Sequence, residues 1–257
     1  MTKSNPLDRA FDLLDIVVSA NRDMPLVEIV QTSGLPQSTA FRLASNLVES
    51  GMLAFNARNK TYRAGGRVLR LSLFATGQKK MEEVIRPALE EVTRITEETA
   101  YFVLRGADDN RLFAYVVPEL GARAFVHPGN TFPIHATAAG KVIAAFSQLD
   151  SDFLAEVRNL EKFQQRTITD VKILEKLYGE IRAQGYAVND SELDEDVFSA
   201  CAPVFFSKEI AGAIGFVGPR NRINPEDSAH VGELIVELTR CGRHLSTLIS
   251  FQDSVNP

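Results

Sequence analysis

Residues 33–51 constrain the fold of this chain more than any other stretch. Gly34 supplies a turn, and Pro36 has the fixed backbone angle that suits the first turn of a helix. The apolar residues that then recur at helical spacing are Leu35, Ala40, Leu43, Leu47 and Val48. The polar residues left on the open face are Gln37, Ser38, Thr39, Arg42 and Asn46. Such a helix suits a DNA major groove, and an ordinary amphipathic helix with a solvated face is the alternative.

Two further helices are predicted ahead of this stretch. Pro6 opens the first, whose apolar side chains between Leu7 and Val18 follow i, i+3, i+4, i+7 spacing. Pro25 starts a second, short helix that ends at Gly34. Three helices with a tight Gly-containing turn before the last one form a helix-turn-helix. The third helix is therefore predicted to be its recognition helix.

A hairpin with a basic turn is predicted directly after the third helix. Residues 52–55 and 61–64 read as short strands around the polar turn 56–60. The cations that we expect to hold the phosphate backbone are Arg58, Lys60 and Arg63. The helix residues that we expect to face bases or phosphates are Gln37, Ser38, Thr39 and Arg42. Residues 1–66 are therefore predicted to be a winged helix-turn-helix domain that binds double-stranded DNA.

Charge is segregated along the chain. The whole chain has a net charge of −5, yet residues 36–80 contain eight basic side chains and one acidic one, Glu49. A basic segment in an otherwise acidic protein is typical of phosphate contact by that segment alone, although chance clustering of solvated charges is an alternative.

Composition excludes several other classes of protein. No apolar run reaches the ~18 residues that a membrane span needs, and no secretory signal is visible at the amino terminus. The two cysteines are too few for a disulfide framework, and no close Cys or His pair has metal-ligand spacing. We therefore expect a cytoplasmic protein without a membrane partner, a metal or another cofactor.

The middle of the chain is predicted to form a linker helix over residues 67–81. Its apolar residues lie on more than one side and are Val68, Leu69, Leu71, Leu73 and Phe74. We expect this helix to pack against a second chain, and packing within its own chain is an equal alternative.

Residues 82–257 are predicted to form an α+β domain. Helices are predicted over residues 82–98 and 135–146, from a cap at Thr169 to Gly185, and from Pro225 onward. Strands are predicted over residues 99–105, 111–117, 122–126, 199–206 and 210–217. The acidic run 190–196 is interpreted as a solvated loop.

Several stretches resemble the IclR family of bacterial transcriptional regulators. Residues 33–51, Tyr62-Arg63 and residues 67–71 are similar to that family's winged-helix domain and linker. Residues 133–141 and 190–204 agree farther along the chain, in the expected order. The resemblance implies a GAF-like carboxyl-terminal domain that binds a small effector. It also implies a homodimer or tetramer that represses or activates nearby catabolic genes.

The resemblance further implies where the effector binds. The residues at the matching positions are Ala138, Ala139, Asn189, Ser199, Cys201, Gly215 and Val217. By its own sequence, the start of helix 135–146 offers free N–H groups to a carboxylate, and its small residues, Gly140 included, let an anion approach. Tight helix packing is the alternative reason for small residues. Gly215 and Val217 lack the hydroxyl that relatives can carry. Fewer hydroxyls and more room predict a larger or more apolar ligand, so we expect an aromatic or longer-chain carboxylate.

Catalysis is the alternative function. Cys201 has the chemistry of a nucleophile that could act on a small carboxylate, with His127 or His135 as its base. Cys201 lies, however, in the apolar run 200–204, where a free cysteine is usually a small buried hydrophobic residue. We therefore expect no enzymatic activity.

Overall fold

The computed structural model describes residues 5–68, 71, 78–106, 110–119, 132–147, 160–206 and 208–251. These residues belong to two compact units. The first includes the chain up to Gln78, the short segment Phe206–Glu209 and the chain from Ser250. The second consists of Lys79–Phe205 and Ile210–Ile249. Among the described helices, none combines the length and the apolar character needed to cross a membrane.

Three helices and a small sheet make up the described part of the first unit. The helices are α1 (Pro6–Ser19), α2 (Leu26–Ser33) and α3 (Gln37–Glu49). The strands are β1 (Met24–Pro25), β2 (Leu53–Asn56) and β3 (Thr61–Ala64). They pair antiparallel in the order β1-β3-β2. The predicted winged helix-turn-helix is thereby confirmed, with one short strand, β1, that the sequence did not predict.

Local sequence explains where these helices begin and end. Asn5 caps α1, since its side chain accepts a hydrogen bond from Leu7 N while its own N–H donates to Asp8, both at 3.2 Å. Gly34 ends α2 with a φ of +65°, which costs glycine no steric strain. Pro36, with φ −56°, then directly precedes α3. The buried side chains at the centre of this unit include Leu13, Ile29, Leu43, Leu47, Leu53 and Tyr62.

The second unit is an α+β domain, as predicted. Its described helices are α4 (Gln78–Thr96), α5 (Ala138–Phe146), α6 (Val171–Gln184), α7 (Arg220–Ile223) and α8 (Ser228–Phe251). Its described strands are β4 (Thr99–Arg105), β5 (Asn110–Val116), β6 (Ala187–Asp190), β7 (Val197–Phe206) and β8 (Glu209–Pro219). They form one sheet in the order β5-β4-β8-β7-β6. The terminal residues of these elements that belong to the first unit are Gln78, Phe206, Glu209, Ser250 and Phe251.

Several helix boundaries differ from the prediction, and hydrogen bonds explain two of them. α5 begins at Ala138 rather than at residue 135, because Thr137 Oγ1 accepts the N–H of Gly140 at 2.9 Å. The cap of α6 is Asp170 rather than Thr169, because its carboxylate accepts the N–H groups of Lys172 and Ile173 at 2.8 and 3.2 Å. The last helix begins at Ser228 instead of Pro225.

Part of the prediction falls outside the described residues. This applies to most of the linker helix, to residues 107–109 between the first two predicted strands of the second domain, and to the strand 122–126. The described helix α4 starts at Gln78, within the range that the sequence assigned to the linker.

Candidate functional site

α3 presents a polar, basic face in the first unit. Its apolar face is buried through Ala40, Leu43, Ala44 and Leu47. Gln37, Ser38 and Arg42 are exposed, and Thr39 is half-buried. The structure therefore puts the predicted recognition residues on the accessible side of the helix. Their contact with DNA stays a prediction.

The turn between β2 and β3 exposes two cations. Asn56 Oδ1 accepts the N–H groups of Arg58 and Asn59 at 3.0 and 3.3 Å, which fixes the shape of the turn. Lys60 adopts a φ of +56°, and its ammonium group lies 5.8 Å from the centroid of the Phe55 ring. Arg58 and Lys60 are both exposed, as the predicted role in holding phosphates requires.

Arg63 is placed differently from these two cations. It lies within β3, opposite Ala54. Its Nη2 donates to Glu209 Oε1 at 2.7 Å, and Glu209 belongs to the same compact unit. Because a carboxylate already compensates its charge, Arg63 is a weaker candidate for phosphate contact than Arg58 or Lys60.

Phe41 is a surface residue of α3 that sequence reasoning missed. It is 56% exposed, although the helix buries most of its other apolar residues. Helical spacing contained the signal, since residue 41 lies one turn beyond Gln37 and Ser38.

In the second unit, the sheet brings most of the predicted effector residues to one face. Asn189 on β6 lies directly opposite Ser199 on β7. Gly215 and Val217 share a face of β8, because alternate residues of a strand point the same way. The predicted residues that join one buried cluster are Ala138, Ala139, Cys201 and Val217.

The first turn of α5 offers two backbone donors. Thr137 Oγ1 accepts a hydrogen bond from the N–H of Gly140, whereas the N–H groups of Ala138 and Ala139 have no partner among the described residues. The positive end of the helix dipole lies at the same place, so the turn favours an anion. Both alanines are fully buried.

Gly140 serves packing rather than the approach of an anion. A Cβ at this position would lie 2.1 Å from the carbonyl oxygen of Pro133 and 2.7 Å from Thr137 Oγ1. The absent side chain makes room for the segment before α5. The expectation that Gly140 gives an anion access to the backbone is therefore wrong.

Tyr101 lies among the predicted effector residues and was missed by the sequence. Its hydroxyl lies 3.2 Å from Cys201 Sγ, and Ser199 belongs to the same strand as that cysteine. Its ring stacks on Phe132, with the ring centroids 5.9 Å apart. Burial raises the pKa of Tyr101 well above its ordinary value and raises the pKa of Cys201 to about 12. Both groups are therefore neutral at pH 7, and the one that accepts in their mutual hydrogen bond keeps its own proton to donate to an anion.

The space beside Gly215 is already filled. A Cβ there would lie 2.3 Å from Cys201 Sγ and 2.4 Å from the carbonyl oxygen of Ala200. Cys201 thus occupies volume that the sequence interpretation assigned to a larger ligand. The inference of extra room at Gly215 is wrong, because one sequence does not reveal which neighbour fills a missing side chain.

Asn189 is buried and its amide is engaged on both sides. Nδ2 donates to the carbonyl of Ala136 at 2.8 Å, and Oδ1 accepts the N–H of Glu192 at 2.9 Å. Asn189 thereby ties the segment before α5 to the loop after β6. This arrangement suits a residue that positions the site.

A buried ion pair reinforces the same connection. Lys141 on α5 pairs with Glu192 and donates to the carbonyl of Val188 at 2.9 Å. Burial lowers the pKa of Lys141, and the neighbouring Glu192 carboxylate opposes that shift. Glu192 is only 8% exposed, so the prediction of a solvated acidic loop is wrong at this residue.

Two family models match this chain. The model described as Bacterial transcriptional regulator IclR C-terminal matches residues 74–247, and the IclR helix-turn-helix domain matches residues 6–57. The chain belongs to the IclR family. The predicted family is confirmed, and the protein is a transcriptional regulator with a DNA-binding domain and an effector-binding domain.

Individual relatives agree over nearly the whole length of this IclR regulator. The Glycerol operon regulatory protein of Streptomyces griseus is 27% identical over 93% of this chain and 94% of its own. The crystal structure of an IclR transcriptional regulator from Silicibacter sp. TM1040 has a TM-score of 0.63 at 22% identity, covering 96% of each chain. An IclR homolog from Microbacterium hydrocarbonoxydans, complexed with 4-hydroxybenzoate, has a TM-score of 0.58 at 18% identity. It covers 95% of this chain and 99% of its own. At these identities the two structures establish a shared fold.

Cys201 of this IclR regulator lacks the surroundings of a catalytic thiol. It is fully buried, and its raised pKa keeps the sulfur protonated. His135, one of its two predicted bases, instead places Nε2 2.9 Å from the carbonyl of Glu161. The other, His127, lies outside the described residues.

Proposed function

We propose that this IclR regulator binds a roughly palindromic operator as a homodimer, or as a tetramer of two such dimers. The observation that carries the proposal is the exposed polar and basic face of α3 within a domain that matches the family's helix-turn-helix model. The residues proposed to face bases or phosphates are Gln37, Ser38, Thr39 and Arg42. Arg58 and Lys60 are proposed to hold the phosphate backbone, with Arg63 in a lesser role. A catabolic operon is the proposed target, since one relative is named as the regulator of a glycerol operon.

A small organic acid is proposed to modulate this binding from the second unit. The N–H groups of Ala138 and Ala139 donate to no described residue and are available to a carboxylate. Tyr101, Ser199 and Cys201 add neutral polar groups nearby. The remaining residues proposed to shape this site are Asn189, Gly215 and Val217. Because the alanines are fully buried, the acid must select a conformation in which the cluster is more open.

An aromatic or longer-chain carboxylate is the class of effector that we propose. The stacked rings of Tyr101 and Phe132 offer an aromatic surface next to the polar groups. A structural relative of low identity carries 4-hydroxybenzoate, which belongs to this class. Calorimetric titration showing tight binding of glyoxylate, and none of aromatic or C4–C6 acids, would overturn this choice.

The regulator is proposed to act in the cytoplasm and to lack catalytic activity. The buried, protonated state of Cys201 supports this proposal. Mass spectrometry of candidate acids incubated with the protein provides the test. Turnover that disappears in Cys201→Ala would establish an enzyme instead.

Gel-shift titration against the DNA upstream of the protein's own gene tests the proposed function. Titrations are run with and without benzoate, 4-hydroxybenzoate, pyruvate and glyoxylate. We expect a retarded complex whose affinity changes with an acid of the effector class. Arg42→Ala should weaken the complex by about 1–3 kcal/mol if Arg42 reads a guanine. Arg243→Ala, which removes an exposed arginine from the second unit, serves as the control. Equal affinities of wild type and Arg42→Ala would contradict the assignment of α3.

A further inference from the structure

We propose that Phe41 is a specificity residue that contacts the C5-methyl group of a thymine in the operator. The proposal rests on the proposed docking of α3 in the major groove. It adds an apolar reading element to a helix face that otherwise offers hydrogen bonds and charge.

The position of Phe41 on α3 supports this role. The ring is 56% exposed, and it belongs to the side of the helix that the domain core leaves free. Gln37 and Ser38 lie one turn before it, and exposed Arg42 follows it directly. Side chains three or four residues apart are neighbours on a helix surface. A docked α3 therefore brings Phe41 to the bases together with the polar residues of the same face.

The chemistry of the major groove selects the partner of this ring. Thymine is the one base whose major-groove edge carries a methyl group, and apolar side chains such as Phe contact it. Polar residues of α3 can read the hydrogen-bonding edges of the other bases, whereas Phe41 can read only an apolar group. Phe41 thus favours T·A over pairs that lack the methyl group.

Charge around Phe41 favours DNA over a second copy of this chain. A two-fold contact through Phe41 would bring Arg42 of each copy close to its equivalent, because such interfaces use the same patch twice. Like charges at a contact are unfavourable, whereas DNA phosphates are complementary to this arginine.

Methyl-deleted DNA provides the test. Duplexes are first enriched from a random library with the full-length wild-type protein. Each thymine of the enriched sequence is then replaced singly by deoxyuridine, which removes only the methyl group. Fluorescence anisotropy at one salt concentration measures the affinities. We expect one position per half-site at which the replacement weakens wild-type binding about fourfold, the factor for one methyl group that loses its burial.

Variants of the protein assign this effect to Phe41. Phe41→Ala should bind more weakly and should no longer distinguish thymine from deoxyuridine at that position. Phe41→Leu, which keeps an apolar side chain, should retain part of the discrimination. The matched control is Phe11→Ala, which removes a ring that is 51% exposed on α1 and should keep the fourfold ratio. Thermal melting by circular dichroism should show all three variants folded, because both rings lie at the surface.

Two results would overturn the proposal. One is a wild-type protein that binds every deoxyuridine-substituted duplex as tightly as the parent. The other is a Phe41→Ala variant that keeps the fourfold ratio, and a changed sedimentation coefficient would then assign Phe41 to contact between copies. Failure to enrich any sequence would instead contradict the proposed DNA binding, so the two failures are distinguishable.

Discussion

At residue scale, the helix glycines Gly140 and Gly232 occupy opposite environments. Gly140→Ala should destabilise the protein by about 1–3 kcal/mol, the usual cost of overpacking. The new methyl group would lie 2.1 Å from the carbonyl oxygen of Pro133, a backbone atom that cannot move aside as a flexible side chain could. The free energy of unfolding in urea measures the effect.

Gly232→Ala provides the control for this prediction. No heavy atom lies within 4 Å of a Cβ at Gly232, and alanine is the better helix former by about 1 kcal/mol. This variant should be neutral or slightly more stable than wild type. Equal losses in both variants would contradict the close approach of residue 133 to α5.

The protonated thiol of Cys201 couples stability to alkaline pH. Its pKa rises from 9.0 to about 12 on folding. Below pH 9 the thiol is protonated in both the folded and the unfolded chain, so pH has no effect through this group. Between pH 9 and 12 only the unfolded chain ionises, and the free energy of unfolding falls.

The Cys201→Ala variant tests this coupling. Urea unfolding at several pH values from about 8 to 11 should show a shallower fall than in wild type. The phenol of buried Tyr101 acts in the same direction, so part of the fall remains in the variant. Identical slopes in the two proteins would show that the thiol titrates normally.

Residues such as Phe41 and Tyr101 mark what the sequence could not assign. Spacing predicted that Ala40, Leu43 and Leu47 of α3 face the domain core, and all three are buried. Val48 is only half-buried, and the buried Ala44 was not predicted. Spacing also puts Phe41 next to Gln37 and Ser38, but its apolar character, which favours burial, kept it out of the predicted recognition residues. Tyr101 lies in a strand that the sequence predicted, but only the folded sheet reveals its neighbour Cys201.

At the scale of elements, variants at the start of α6 distinguish two candidate capping residues, Asp170 and Thr169. Asp170→Ala should destabilise the protein by about 0.5–2 kcal/mol, because the N–H groups of Lys172 and Ile173 lose their acceptor. Thr169→Ala, the change at the cap that the sequence favoured, should have little effect. Thermal unfolding of the two variants compares them directly. A larger loss in Thr169→Ala would restore the sequence-based assignment.

Length and pairing explain which elements the sequence predicted. α1, α3 and α8 have apolar faces that recur over several turns, and all were predicted. β1 has two residues, too few for an alternating pattern to be recognised, and β6 has only two apolar residues, Ala187 and Val188, before its polar end. β6 forms a hairpin with β7, whereas β1 forms only by pairing with β3, which lies beyond β2 in the chain. Tertiary pairing of this kind cannot be read from local sequence.

At the scale of the whole molecule, salt dependence tests whether the hairpin turn lies along DNA. Lys60→Ala should weaken operator binding and reduce the slope of log K against log salt by about 0.9 for each phosphate that the variant no longer neutralises. Fluorescence anisotropy across a series of salt concentrations measures both quantities. Lys176→Ala removes a lysine whose side chain is 81% exposed in the second unit, and it should leave the slope unchanged. An unchanged slope in Lys60→Ala would remove the turn from the interface.

The two-part organisation of the chain was readable from the sequence because two independent patterns agree. Basic residues concentrate in residues 36–80, and the motifs of the second domain follow in order. The chemistry of the effector was less accessible. It is proposed to depend on Cys201, Tyr101 and Gly215, which are adjacent only after β4, β7 and β8 have paired.

The buried pair of Lys141 and Glu192 limits how this chain can evolve. The two residues lie 51 positions apart, so one mutational event rarely changes both. Loss of either partner leaves the other charge buried without a counterion. This lowers the free energy of unfolding by about 3–5 kcal/mol, a large share of a domain's net stability. Apolar residues at both positions are far better tolerated. Descendants of this gene should therefore inherit both charges or neither, and a library randomised at both codons should return matched pairs.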